Sequence, residues 1–190
     1  MSLPKYCLAG TCILFMGYGS IAAAKTVVIH VENSSPSQVE IGYEMMPPEA
    51  QGAHYFWQPV RDGQMPRHAF AGGRERDEIL YICQSFYNGG VHPGKVVAGR
   101  CNITYGGAEI PRDRFRVLVG EGFDWRSPKR DRIPPNAVVG GFENGRPLYI
   151  CHARYDFHGV HPGKIVAGAC NIGYGGQEIR IPDYQVLVNY

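Results

Sequence analysis

The chain has 190 residues, 44% of them hydrophobic and 19% charged, with 25 glycines, 14 prolines and a formal charge of +2. That is enough apolar material for a core, while the many turn formers argue against long helices, so the fold expected is all-β. No basic run of the kind that tracks phosphate is present, which argues against a nucleic-acid partner.

Residues 1–24 carry the marks of a secretory signal peptide: Lys5 as a short basic start, an apolar stretch from Tyr6 to Tyr18, and Ala22-Ala23-Ala24 as a small-residue cleavage site. The apolar stretch is broken by Gly10, Thr11 and Gly17 and is short for a membrane span of about 20 residues. The expected mature chain begins at Lys25, is secreted (periplasmic in a bacterium) and keeps no membrane span. Residues 25–56 then hold two strand-like runs, Thr26 to Val31 and Val39 to Tyr43, separated by Asn33-Ser34-Ser35-Pro36-Ser37 as turn material. They read as a β-hairpin and linker.

The remainder of the chain is a duplication. Val91 to Gly107 reads VHPGKVVAGRCNITYGG and Val160 to Gly176 reads VHPGKIVAGACNIGYGG, which agree at 14 of 17 positions. The match extends to Trp57 and Trp125, to Gly72-Gly73 and Gly140-Gly141, to Leu80-Tyr81-Ile82-Cys83 and Leu148-Tyr149-Ile150-Cys151, and to Val117-Leu118-Val119 and Val186-Leu187-Val188. We therefore read one repeat over 57–119, a linker over 120–124 within a solvated connection reaching Asn136, and a second repeat over 125–190. Units this small bury little alone, so the two are expected to pack about a pseudo-twofold axis into one domain. Each His-Pro-Gly-Lys tetrad reads as a tight turn, because Pro fixes φ and Gly admits the positive φ of a type II turn.

Cleavage of the leader leaves four cysteines, two per repeat. Cys83 with Cys101 and Cys151 with Cys170 is the simplest pairing for an exported protein, although spacing alone leaves pairing across the repeats open. No Cys-x-x-Cys spacing occurs, so neither a metal nor any other cofactor is expected.

The chemistry that recurs is a carboxylate after the Gly-Gly pair and a lysine after Pro-Gly: Glu75 with Lys95, and Glu143 with Lys164, separated by 20 and 21 residues. A single Lys or Glu at a surface is ordinarily a solvated charge or half of a weak ion pair. Recurrence of both in both copies points to a shared task. A carboxylate accepting from sugar hydroxyls and an ammonium donating to their oxygens would clasp one diol. His92, His161, Glu109 and Glu178 recur as well and rank as secondary site residues, the histidines as braces of the turn. Asn102 and Asn171 suit backbone groups near it, and Trp57, Trp125, Tyr105 and Tyr174 suit a core.

In order, Trp, Gly-Gly, Leu-Tyr-Ile-Cys, His-Pro-Gly-Lys, Cys-Asn-Ile-x-Tyr-Gly-Gly-x-Glu and Val-Leu-Val resemble the DM9 repeat in tandem, as in the DM9 lectins and the lectin part of natterin-like proteins. The resemblance spans Trp57 to Val188. It implies an all-β, pseudo-twofold lectin that takes mannose-type sugars, including those of microbial surfaces, and that forms homodimers in many members. It places the sugar site on Glu75 and Lys95 in one repeat and on Glu143 and Lys164 in the other. The family pattern has Asp where this chain has Glu, and the added methylene shifts the carboxylate by about 1.5 Å.

Enzymatic motifs are not found. Gly89 to Lys95 fits the spacing of a phosphate loop, but Val96 stands where a magnesium-binding Ser or Thr belongs and His158 replaces the first glycine in the second copy. A non-enzymatic sugar binder is the leading expectation. The alternative is a structural or adhesion protein that offers its N-terminal hairpin edge to a protein partner, with the Glu/Lys pairs as surface salt bridges. Asn33-Ser34-Ser35 and Asn102-Ile103-Thr104 also fit the N-glycosylation pattern.

Overall fold

The computed structural model describes residues 6–8, 11–13, 54–61, 63–129 and 132–190. The expected hairpin over 26–43, most of the leader and the pattern at Asn33 lie outside the described residues. Met1–Glu40 and Ile41–Tyr190 are separate compact units. In the first, β1 (Tyr6–Leu8) and β2 (Thr11–Ile13) pair antiparallel.

In the second unit the first repeat supplies β3 (Tyr55–Pro59), β4 (Ala71–Glu75), β5 (Glu78–Tyr87), β6 (Gly90–Val97), β7 (Arg100–Tyr105), β8 (Ala108–Arg112) and β9 (Arg116–Gly120). The second supplies their counterparts β10 (Phe123–Arg126), β11 (Val139–Glu143), β12 (Arg146–Arg154), β13 (Val160–Val166), β14 (Ala169–Tyr174), β15 (Gln177–Ile181) and β16 (Gln185–Asn189), with one 3-10 turn at Asp156–His158. The described residues hold no α-helix. All fourteen strands join one antiparallel sheet in the order β10-β16-β12-β11-β6-β7-β8-β15-β14-β13-β4-β5-β9-β3, and the added pairings β5 with β6 and β12 with β13 curl it back on itself.

Three junctions join the repeats, and they obey the duplication. Val91 of β6 pairs with Phe142 of β11, Val160 of β13 with Arg74 of β4, and Ala108 of β8 with Gln177 of β15. The first two exchange when the repeats are exchanged, and the third maps onto itself. The second glycine of each Gly-Gly pair makes this approach possible, since a Cβ on Gly73 would meet Val160 O at 2.0 Å and one on Gly141 would meet Val91 O at 1.9 Å. Each repeat also buries its own apolar cluster, around Val117 and Ile103 in one and Val186 and Ile172 in the other. A third cluster of Ile82, Leu118, Val138, Ile150 and Leu187 draws on both. Trp57 and Trp125 pack against its edge, half-buried. Cys83–Cys101 and Cys151–Cys170 are joined, with their sulfurs inside the two repeat cores, so the alternative pairing across repeats is not used.

Three expectations are corrected. The His-Pro-Gly-Lys tetrads are not turns: they lie in the middle of β6 and β13, each paired on both sides. The glycine is needed for closeness, because a Cβ on Gly94 would meet Asn102 O at 2.1 Å and one on Gly163 would meet Asn171 O at 2.2 Å. The turns come later, at Ala98-Gly99 and Ala167-Gly168, with φ of 47° and 75° and of 47° and 73°, the left-handed pair of a two-residue hairpin. The connection after Gly120 is also no bare linker, since β10 pairs with β16 and Trp125 stacks on His152 at 3.6 Å between centroids. Finally, Asn102 is only half-exposed on a paired strand and Thr104 is buried, which removes that glycosylation pattern from the surface of the folded chain.

Candidate ligand sites at the repeat seam

Pairing β6 on both sides turns the Lys95 side chain inward, and the same holds for Lys164 in β13. Both are 3% exposed or less. A buried ammonium is expensive unless every N–H finds an acceptor, and here the acceptors come from the opposite repeat. Lys95 Nζ donates to Gly173 O and, at 3.2 Å, to His161 Nδ1. Lys164 Nζ donates to Thr104 O at 2.7 Å and to His92 Nδ1 at 3.2 Å. Each lysine therefore ties its own β-hairpin to the other half of the molecule.

The histidines complete the arrangement. His92 and His161 are fully buried, and their Nε2 atoms lie 3.2 Å from Tyr87 O and His158 O. That geometry selects the neutral tautomer with the proton on Nε2, leaving Nδ1 to accept from the lysine. Burial pushes both histidine pKa values down, and the lysine beside each adds to the fall. Burial likewise lowers both lysine pKa values, opposed by Glu109 and Glu75 at Lys95 and by Glu178 and Glu143 at Lys164. Tyr174 and Tyr105 stand over the ammonium groups at 5.7 Å and 5.8 Å from ring centroid to Nζ.

The carboxylates enter from two directions. Glu75 ends β4 and Glu143 ends β11, both half-buried and within electrostatic reach of the lysine of their own repeat and the histidine of the other. Glu109 and Glu178 sit on β8 and β15, where the repeats meet about the pseudo-twofold. Glu109 Oε2 accepts from Gly176 N at 3.1 Å and Glu178 Oε2 from Gly107 N at 2.9 Å. Glu109 also forms a 3.3 Å ion pair with Lys95 and accepts from Asn102 Nδ2 at 3.3 Å, so this asparagine serves a carboxylate rather than the backbone.

The two clusters differ at one position. Repeat 1 has Thr104 where repeat 2 has Gly173, and a Cβ on Gly173 would lie 2.6 Å from Glu109 Oε1 and 2.7 Å from its Cγ. Glycine at 173 opens the space through which Glu109 reaches Lys95. Thr104 occupies the matching space, on the side from which Glu178 would otherwise reach Lys164, and its buried hydroxyl has no partner among the described residues. Among the described residues Lys95 thus has three protein acceptors and Lys164 two. Outside these clusters, a groove of about 450 Å³ lies against Gln58, Pro59, Arg61, Gln64, Met65 and Pro66. The described residues hold no grouping of side chains suited to a metal.

The sequence pairs Glu75 with Lys95 and Glu143 with Lys164, and the lysine of each pair meets the histidine, tyrosine and backbone carbonyl of the other repeat. Gly173 O and Thr104 O were missed. Their signal was present as one of only three differences between the 17-residue copies.

Fold and geometry together define an all-β tandem-repeat protein with two polar clusters set into its internal seam. The family model of the DM9 repeat matches residues 18–100 and 76–181, so the chain belongs to the DM9 repeat family. Among solved structures it is similar to the nematode sperm cell motility protein MFP2B, at 16% identity and a TM-score of 0.57 over 86% of this chain and 55% of that one. The chain thus spans about half of MFP2B, and the likeness is one of fold. No curated protein is similar to it by sequence.

Proposed function

We propose that this is an exported carbohydrate-binding protein that takes mannose-type sugars at the two seam clusters, as a binder and not as a catalyst. One observation carries the reading: a buried lysine grouped with two carboxylates, a histidine and a tyrosine occurs twice, at positions related by the pseudo-twofold. A seam built only for stability would be made more economically of apolar side chains, because burying charge costs more than it returns. The clusters supply what a pyranose diol needs, with ammonium donors, carboxylate acceptors at the half-buried Glu75 and Glu143, and an aromatic wall. Two internal disulfides suit an oxidising compartment, and no helix among the described residues is long and apolar enough to cross a membrane.

The test is calorimetric titration with methyl α-mannoside and a short mannan. Since both lysines are buried, Glu75→Gln and Glu143→Gln are the cleaner variants. Each should weaken one site by about 1.5 to 3 kcal/mol, as for hydrogen bonds to charged groups, and the double variant should lose retention on a mannose column while keeping its circular dichroism. Retention equal to wild type would leave the clusters as structural clasps between repeats. A chain that reaches a protein partner through residues 25–56 would then be the better account.

A further inference from the structure

Taking the sugar-binding reading as its basis, we propose that the two sites are not equivalent: the Lys164 cluster takes a single terminal pyranose, whereas the Lys95 cluster also reads a second pyranose, through Phe157. The difference begins in the loops that join β5 to β6 and β12 to β13. In the first repeat the connection is the tight Asn88-Gly89 turn, with φ of 46° and 78°. The second repeat spends one more residue and forms the 3-10 turn Asp156–His158, which leaves Phe157 89% exposed, against 40 to 62% for the other exposed large hydrophobic side chains.

This loop belongs to the Lys95 cluster even though it lies in the other repeat. A Cβ on Gly159 would meet Arg74 O at 2.1 Å and Glu75 Cα at 3.2 Å, so the loop rests directly on the end of β4. From its tip a ladder of rings runs inward. Phe157 lies 4.2 Å from His158 and His158 lies 4.5 Å from Tyr174 between centroids, with a 2.7 Å hydrogen bond between Tyr174 Oη and His158 Nδ1. Tyr174 is the ring over Lys95. At the other cluster Asn88 Nδ2, not a ring, takes the place of His158 on the Tyr105 hydroxyl, and the rings beside Tyr105 are Tyr87 and His92. Phe86, one residue before Tyr87, projects to the opposite face of its strand from the ring that touches Tyr105.

The polar ends differ in the complementary sense. Lys95 has Gly173 O, His161 and Glu109 on its three N–H groups, so a sugar hydroxyl there must compete with Glu109. Lys164 has two protein acceptors among the described residues and one N–H left for a ligand. A single pyranose is therefore held more tightly at Lys164. At Lys95 the deficit is made up only by a ligand long enough to lay the C–H face of a second ring on Phe157, in the way apolar faces stack on aromatic rings.

The experiment uses the full chain carrying Glu143→Gln, which weakens the Lys164 site, titrated with methyl α-mannoside and with mannotriose. We expect the trisaccharide to bind about tenfold more tightly, the factor that about 1.4 kcal/mol of ring contact supplies. Adding Phe157→Ala should bring that ratio close to one, and Phe157→Trp should restore it. The side chain is exposed, so these variants fold. A ratio that Phe157→Ala leaves unchanged overturns the proposal while the sugar-binding reading stands. Absence of any sugar binding to wild type overturns both. A sedimenting dimer that Phe157→Ala dissociates, with the ratio unaltered, assigns the ring to a contact between copies and also overturns it.

Discussion

The Lys95 and Lys164 clusters are made from nearly the same residues and yet reach different ends. Lys95 is closed by an ion pair to Glu109, and Lys164 keeps a donor, because a threonine stands at 104 and a glycine at 173. A duplicated site can thus be differentiated without touching its charged residues, by changing the volume beside them. Each cluster also draws its parts from both repeats, so a substitution in one copy is felt at the site nominally belonging to the other.

The largest expected effect separates the clusters outright. Lys95→Met leaves the half-buried Glu109 without its cation, held only by Gly176 N and Asn102 Nδ2, and should cost about 3 to 5 kcal/mol in urea unfolding, the range for breaking a buried ion pair. Lys164→Met removes hydrogen bonds without stranding a directly paired carboxylate and should cost about 1 to 3 kcal/mol. Equal losses would mean that the ion pair at 3.3 Å adds nothing.

The disulfides serve as a symmetric control. They close loops of 18 and 19 residues, so replacing either pair by alanines should cost the same, about 3 kcal/mol. Denaturant midpoints that differ widely between the two double variants would show that the repeats are not equivalent in their cores either.

Gly173→Ala should make the first cluster resemble the second. The added methyl forces Glu109 away from Lys95, at a cost of about 1 to 3 kcal/mol for overpacking. Removing the competitor also frees the Lys95 ammonium, so monosaccharide affinity should rise as stability falls. Titration calorimetry and unfolding on the same sample check both signs, and a loss of both would break the account of this position.

The smallest effect is shared by the two clusters. His92 and His161 have pKa values lowered by burial and by the neighbouring lysines, while the unfolded chain titrates near the ordinary value of about 6.5. As pH falls below that value the unfolded state takes up protons first, so stability is full above about pH 6.5 and declines below it, before the carboxylates titrate. His92→Gln and His161→Gln should each flatten part of this slope.

Much of the fold was legible because duplication is a property of sequence. The agreement over Val91–Gly107, the cysteine pairs and the Val-Leu-Val strands all come from local pattern, and the structure keeps them. The Pro-Gly pair misled for a physical reason: Pro-Gly satisfies the type II turn rule taken alone, but here β5 and β7 flank the segment and Asn102 O occupies the space of a Cβ at Gly94. Tertiary pairing overrode local preference. Burial of Lys95 was invisible for the same reason, as its partners His161 and Gly173 lie 66 and 78 residues away. Glu109 ranks below Glu75 in the sequence because a carboxylate after Gly-Gly can equally pair with a base or close a turn, whereas in space Glu109 is the one ion-paired to the ammonium.

Ligand binding is proposed at the two buried ammonium groups. Nitrogen-15 NMR of the lysine Nζ groups observes them directly, because burial slows their proton exchange and sets them apart from solvated lysines. Two protected signals are expected at neutral pH, and both should shift on addition of mannotriose, with only the Lys164 signal moving fully on addition of methyl α-mannoside. Sugar binding at saturation that leaves both signals in place would put the ligand elsewhere on the molecule and contradict the account.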